Sequence, residues 1–251
     1  MLTDERQQRI LSTLEENDII TIAELIEPLE ASESTIRRDL QHLENQGLLI
    51  RVHGGAKKKQ QLNFEANMME KEAKFHEEKL AIGRYAANLI KPKDVIYLDA
   101  GTSTMAMIPF IEPDLGIKVV TNSVKHAALL VEKNIETVIL GGTIKLSTNA
   151  ITGFSTATQL QQFRFNKAFM GMNGAHLENG FTTPDPEEAI IKKLAIAQSQ
   201  MSFVLLDGSK FQQTAFTHVA DLTQAEIITS KAPKEIMKKM QLQTRITEVS
   251  S

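Results

Sequence analysis

Two sets of residues in this chain of 251 have the types and spacing to do chemistry. The first is hydroxylic and cationic: Ser32, Ser34, Thr35, Arg37 and Arg38 lie within seven residues, and Arg51, His53 and Lys57 follow. Hydroxyls and lysines engage phosphate oxygens, and arginine can also meet a guanine edge with two parallel hydrogen bonds. The second is a series of small polar loops, each directly after a short apolar run. They are Asp99-Ala100-Gly101-Thr102-Ser103-Thr104, Thr121-Asn122-Ser123, Gly141-Gly142-Thr143 and Asp207-Gly208-Ser209-Lys210. Gly101 lets backbone approach an anion, and Thr102, Ser103 and Thr104 offer N–H and hydroxyl groups at a helix start, where negative charge is favoured. Lys210 adds a cation suited to phosphate, while Asp99, Asp207 and Asn122 suit sugar hydroxyls.

Glu187, Glu188 and Lys192 come from a helix after Thr182-Thr183-Pro184-Asp185. Glu188 and Lys192 are four apart, so an exposed ion pair competes evenly with a ligand role. Lys167 and His176 are weaker candidates. Asp99, Asp207, Glu188 and Lys210 could also serve acid–base catalysis in a sugar-phosphate isomerase. No catalytic residue is assigned. The histidines lack ligand spacing, so no metal is expected. Neither a dinucleotide fingerprint nor a Walker lysine motif is present, so no nucleotide cofactor is expected.

The elements that must position these groups can be read from periodicity. Thr3 opens a helix with Ile10, Leu11 and Leu14 on one face; Ile19–Thr21 is a short strand; Ile22–Leu29 is a second helix, interrupted near Pro28. Glu30-Ala31 leaves room only for a turn. Ser32 or Ser34 then caps a third helix with Ile36, Leu40 and Leu43 inside and the arginines outside, ended by Gly47. Leu48–His53 alternates like a strand, and Gly54-Gly55 returns it toward Lys57-Lys58-Lys59. This is a winged helix-turn-helix order, with the third helix suited to the major groove. Past a polar linker, two helices are expected between Asn63 and Ile90, with Phe64 and Met68 paired on one face. Strands at 95–98, 117–121, 137–140, 167–172, 201–206, 216–220, 226–229 and 245–249 then alternate with helices at 124–133, 155–163, 186–199 and 233–240. That alternation predicts a mostly parallel sheet covered on both faces, an α/β body. Ligands of such sheets bind beyond the carboxyl ends of the strands.

Composition bounds the rest. A hydrophobic share of 42% supports a packed core, and no apolar run reaches membrane-spanning length. The charged stretch from Thr3 to Arg9 is unlike a secretory signal, and cysteine is absent, which together predict a cytoplasmic protein. Net charge is −3 overall. Residues 34–59 are different: six Lys and Arg against two Asp and Glu give +4. The basic field is local to the third helix and the wing, so binding should require two or more heads acting together.

Arg6, Ile10 and Leu14, followed after a gap by Ser32-x-x-Thr35-Ile36-Arg37-Arg38-Asp39-Leu40, resemble the N-terminal signature of the DeoR family of bacterial transcriptional regulators. Arg51-Val52-His53-Gly54-Gly55-Ala56 resembles that family's wing. Asp99-x-Gly101-Thr102-Ser103-Thr104, Thr121-Asn122-Ser123, Gly141-Gly142, Glu188-Ala189 and Asp207-x-Ser209-Lys210-Phe211 resemble its sensor domain. Two positions depart from the family pattern: Ser103 stands where many relatives have threonine, and Asn166 where aspartate is usual.

The resemblance implies a winged helix-turn-helix head over 1–57, a linker and connecting helix over 58–75, and a sensing domain over 76–251 of ribose-phosphate isomerase-like fold. It implies operator double-stranded DNA and a phosphorylated sugar as partners, no membrane, and a homodimer or homotetramer. Ser32–Ile36 and Phe181–Ala189 look most like the branch of the family that represses fructose operons. That implies fructose 1-phosphate or a close relative as effector, with tagatose 6-phosphate or a polyol phosphate as alternatives.

Overall fold

A computed structural model describes residues 2–17, 19–58, 62–63 and 68–250, the side chains of 15 and 16 apart. Lys59 and Phe64, named above for the basic run and for the pairing with Met68, lie outside the described residues. The chain forms two compact units, Met1–Gln61 and Leu62–Ser251.

The first unit runs α1 (Thr3–Asn17), β1 (Ile19–Thr21), α2 (Ile22–Ile26), α3 (Glu33–Asn45), β2 (Leu49–Val52) and β3 (Gly55–Lys58). Its core is Ile10, Leu14, Ile20, Leu25, Ile36, Leu40, Leu43 and Leu49, all nearly inaccessible. Thr21 and Glu24 form a reciprocal capping box at the start of α2. Gly47, in the left-handed region at φ 71°, ends the α3 segment. β2 and β3 pair antiparallel through a two-residue turn at His53-Gly54, with Gly54 at φ 79°, and β1 adds to the outer side of β3. The wing is therefore a three-stranded sheet rather than a bare hairpin.

The second unit begins with α4 (Met68–Ala73) and α5 (His76–Ala87). It continues with β4 (Val95–Leu98), α6 (Thr102–Met105), β5 (Lys118–Thr121), α7 (Val124–Glu132) and β6 (Glu136–Ile139). Next come β7 (Thr143–Ile144), β8 (Ile151–Thr152), α8 (Phe154–Leu160), β9 (Phe165–Gly171), β10 (Gly174–His176) and β11 (Gly180–Thr183). The chain closes with α9 (Pro186–Ala197), β12 (Ser199–Leu206), β13 (Thr217–Ala220), β14 (Glu226–Thr229), α10 (Lys234–Met240) and β15 (Ile246–Glu248).

Seven strands make one wholly parallel sheet in the order β15-β14-β12-β9-β4-β5-β6. Alternation along β4 shows how both faces are buried: Tyr97 packs into one cluster with Val120, Phe165 and Val204, and Ile96 and Leu98 into the other with Val119, Phe169 and Phe203. Two small antiparallel sheets, β7-β8 and β10-β11-β13, were not expected as sheets. The run 216–220, expected among the body's strands, forms β13 and pairs with β11 outside the main sheet.

From β4 the chain steps through β5 and β6 to one side, then returns to place β9, β12, β14 and β15 on the other. The order reverses between β4 and β9. Open parallel sheets hold ligands at such a switch point, beyond the carboxyl ends, where the loops of the two strands leave in opposite directions.

Candidate functional site

The head presents its candidate residues from the start of α3 and from the wing. Ser32 is the N-cap: its hydroxyl accepts from the Thr35 N–H at 3.3 Å and lies 3.0 and 2.9 Å from the Ser34 and Thr35 hydroxyls. Ser34 is inside the helix. Asp39 points inward, where Arg6 grips it through Nε at 2.5 Å and a second nitrogen at 3.2 Å, and Gln7 donates to it at 3.2 Å. The Asp39 carboxylate raises the Arg6 guanidinium above its ordinary value. This nearly buried pair locks α1 to α3. Its signal in the sequence was an acidic residue beside Leu40 in the apolar stripe. Arg37 and Arg38 point outward; Arg37 pairs with Glu33 one turn earlier at 2.6 Å. Arg38 is exposed and has no ion pair among the described residues. Arg51 is half-buried, its guanidinium donating to Gln41 and its backbone N–H to Glu44 at 2.9 Å, which fixes the wing to α3. His53 and Lys57 are exposed on the wing.

In the body, the loops named from sequence all lie at the carboxyl edge of the sheet. Asp99 follows β4 at the switch point and is buried. Its Oδ2 accepts from the Gly171 N–H at 3.0 Å and from the Lys192 ammonium at 2.5 Å, and Lys192 also donates to the Gly171 carbonyl at 3.0 Å. Burial raises the Asp99 carboxyl above its ordinary value, against the pull of Lys192 and of the Gly171 N–H. Asp99 thus ties the carboxyl ends of β4 and β9 to α9.

Glu188 and Lys192 do not form the exposed pair considered above. Both are buried, and Glu188 accepts from Thr148 at 2.8 Å and from Lys145 at 3.0 Å. Asp185 caps α9 by accepting the Glu187 and Glu188 N–H groups, and Pro186 fills the first helical position. Burial opposes ionisation of Asp185, but Lys145 at 2.8 Å and those N–H groups outweigh it and lower its pKa. Lys192 could have been found from sequence: it interrupts an inward stripe of Ala189, Ile191, Ala195 and Ile196, where a lone cation demands a partner.

Gly101 precedes α6. The Thr104 hydroxyl is turned back onto the Asp99 and Gly101 carbonyls at 2.7 and 2.9 Å. Thr102 and Ser103 have no hydroxyl partner among the described residues. Behind the loop lies His126, fully buried, its Nε2 3.2 Å from the Gly101 carbonyl and its Nδ1 unpartnered. Burial lowers His126 to about 4, so it is neutral and must donate through Nε2.

Asn122 is spent on structure: it accepts from the Ala100 N–H at 2.9 Å and donates to the Ile151 carbonyl at 3.3 Å. Gly141 is held by Gln159 and Thr156. A Cβ on Gly142 would lie 2.1 Å from the Thr156 hydroxyl and 2.6 Å from the Thr152 carbonyl, so the close approach of β7 to α8 requires glycine. Asp207 caps the turn after β12 through the Ser209 N–H and hydroxyl. Lys210 is half-buried, with no ion pair among the described residues. Lys167 and Asn166 lie at the opposite, amino edge: Lys167 pairs with Asp94, and Asn166 accepts from the Val95 N–H. His176 caps a turn through the Glu178 N–H.

α4 crosses this carboxyl edge. The Met68 N–H donates to the Ser147 carbonyl at 3.1 Å, Glu72 pairs with Lys125 at 2.9 Å, and the helix packs on α6. Buried Lys79 of α5 donates to the Lys71 and Lys74 carbonyls at the end of α4. Burial lowers the Lys79 pKa; Asp207 raises it and Lys210 lowers it, so all three share one electrostatic neighbourhood. Among the described residues no helix is long and apolar enough to cross a membrane.

Comparison with known proteins gives the arrangement its context. Residues 6–61 match the DeoR-like helix-turn-helix domain and residues 74–231 the DeoR C-terminal sensor domain. An uncharacterized HTH-type transcriptional regulator FruR of Bacillus subtilis is 48% identical over 92% of this chain and 92% of its own. The HTH-type transcriptional regulator GlpR of Haloferax volcanii is 33% identical over 90% and 89%, and a lactose phosphotransferase system repressor of Lactococcus lactis 35% over 83% and 83%. Ribose 5-phosphate isomerase A of Methanocaldococcus jannaschii aligns with 54% of each chain at TM-score 0.39 and 18% identity. Its near relatives being regulators and not enzymes, the chain is a transcriptional repressor and belongs to the DeoR family.

Proposed function

We propose that the protein represses a sugar-utilisation operon by binding operator double-stranded DNA as a homodimer or homotetramer in the cytoplasm, and lets go when a sugar phosphate binds the body. Ser32, Ser34, Thr35, Arg37 and Arg38 meet the major groove, while Arg51, His53 and Lys57 reach flanking backbone from the wing. The effector binds at the switch point between β4 and β9. Fructose 1-phosphate is the preferred effector, supported by the relative named FruR.

The observation that carries the site is the division between occupied and unoccupied polar groups. Asp99, Thr104, Asn122, Glu188, Asp207 and the Gly141-Gly142 turn are each committed to partners within the fold and build the walls. Thr102, Ser103 and Lys210 have no such commitment among the described residues; Ser103 and Lys210 are half-buried, Thr102 is nearly buried, and half-buried Gly101 leads into the two hydroxyls. That is a phosphate-binding set inside a rigid frame. Release follows by linkage: the effector must bind more tightly to the arrangement of heads that does not fit the operator. α4 carries the coupling, because it touches the edge loops and the chain continues from the head into it.

Calorimetric titration against a panel of hexose and polyol phosphates, paired with operator binding by fluorescence anisotropy, tests this. One sugar phosphate should bind and weaken operator affinity roughly 5- to 150-fold, as for a coupling of about 1–3 kcal/mol. Lys210→Ala should abolish that response with operator affinity intact. A full response in Lys210→Ala removes the lysine from the site, and binding without any change in operator affinity removes the coupling.

A further inference from the structure

β6 ends the seven-stranded sheet: β5 pairs with its inner side, and no described strand meets its outer one. Around its carboxyl end large apolar side chains face solvent. Leu146 is 92% exposed, Phe154 87% and Met69 82%, and Val124, Ile139 and Ile144 are each a little under half exposed. These come from α4, α7, β6, β7, the loop after β7 and α8, yet backbone ties draw the elements together. The Met68 N–H meets the Ser147 carbonyl, the Ile151 N–H meets the Asn122 carbonyl at 2.7 Å, and the Leu140 N–H meets the Thr121 carbonyl at 3.0 Å. Nothing within the described fold explains a phenylalanine presented to water at the start of α8.

We propose that this corner is where a second copy of the chain docks, with the free edge of β6 at its centre. Area supports that occupant. At about 200 Å² for a large apolar residue, the six side chains expose on the order of 800 Å², beyond the patch of a typical monomer and equal to one partner's share of a standard interface. Charge supports it as well. The ions bordering the corner are already paired within the chain, Lys125 with Glu72 and Lys145 with Asp185 and Glu188, which leaves one net negative charge among these five and no unpaired ion for two identical faces to bury. The inference rests on the operator-binding reading above, which needs two heads because each chain carries one recognition helix and a local charge of only +4. It adds that α4 belongs both to the subunit contact and to the cover of the effector site, so one helix feels both partners.

The test is the mass in solution of the full chain and of Leu146→Glu/Phe154→Glu, by analytical ultracentrifugation at micromolar concentration. Both side chains are exposed, so the folded body should survive, as read by circular dichroism. The parent should sediment at twice or four times the chain's 27.9 kDa. The double variant should dissociate, its self-association weakening at least 100-fold, and operator affinity should fall with it. Leu242→Glu, equally exposed at the end of α10, should change neither. Because the chain has no cysteine, Leu146→Cys gives a second measure: its alkylation by a maleimide should slow as assembly proceeds, and that of Leu242→Cys should not. A monomeric parent on operator DNA, or a double variant with undiminished assembly and unprotected Leu146→Cys, overturns the proposal. If the parent binds no operator, the regulator reading fails, while the ultracentrifuge still judges the surface.

Discussion

Arg37 and Arg38 are neighbours in sequence but differ in their readiness to meet DNA. Arg37 must leave Glu33, an exposed pair worth no more than about 1 kcal/mol, whereas Arg38 has no ion pair to leave among the described residues. Arg38→Ala should therefore cost about 1–3 kcal/mol of operator affinity if it reads a base, and weaken all duplexes alike if it touches phosphate. Glu33→Ala should tighten binding slightly; anisotropy titrations on operator and scrambled duplexes separate these outcomes. Asp99 has a different lesson. Because it neutralises buried Lys192, Asp99→Asn should destabilise the body by about 3–5 kcal/mol, the range for breaking a buried ion pair, as well as disturb the effector site. A melting temperature equal to the parent's would contradict that. His126 sets a pH dependence. Its folded pKa, about 4, lies below the ordinary 6.5, so between those values the unfolded chain binds the extra proton. Stability must fall as pH drops from 6.5 toward 4, by up to about 3 kcal/mol from this residue. Urea unfolding of His126→Gln across that window should show a shallower fall, since the glutamine N–H can keep the Gly101 carbonyl without a titrating base.

At the scale of the element, α4 is the least self-sufficient piece of the body. Six residues cannot hold a helix in water by local hydrogen bonds alone. It persists through contacts with others: Met68 on Ser147, Glu72 on Lys125, and Lys79 on its final carbonyls. Lys79→Met keeps the apolar stem but removes both of those donors. The expected result is faster amide hydrogen exchange across 68–75, with β4 and β5 unchanged, and a weaker effect of effector on operator binding. Unchanged protection of α4 would mean that its packing on α6 suffices. The alternation of helices and strands was readable because the central strands are buried on both faces and run apolar for four residues or more. β7, β8, β10 and β11 were missed because two to four residues carry too little pattern.

For the whole molecule, the head closes a core of its own from Ile10 to Ala56, and the body builds two clusters on either face of its sheet. Separate cores predict separate unfolding. Scanning calorimetry should resolve two transitions, and effector at 100 times its Kd should add about 2.7 kcal/mol to the body's alone. A single transition that moves as one would show the units to be energetically fused, and would favour coupling through more than α4.

What the sequence determined by itself was the local order: helix, strand, helix, turn, helix and wing, then strands each followed by a small polar loop. Periodicity, caps and glycines act over a few residues, and that is enough to place Ser32, Arg37, Arg38, Gly101 and Lys210 on their elements. Only the tertiary structure decided which polar groups satisfy each other. Asp99 and Lys192 are 93 residues apart, as are no two groups that local pattern can relate. Burying a charge forces it to find a partner wherever the fold brings one within reach, and that search is settled by strand order, not by neighbours in the chain.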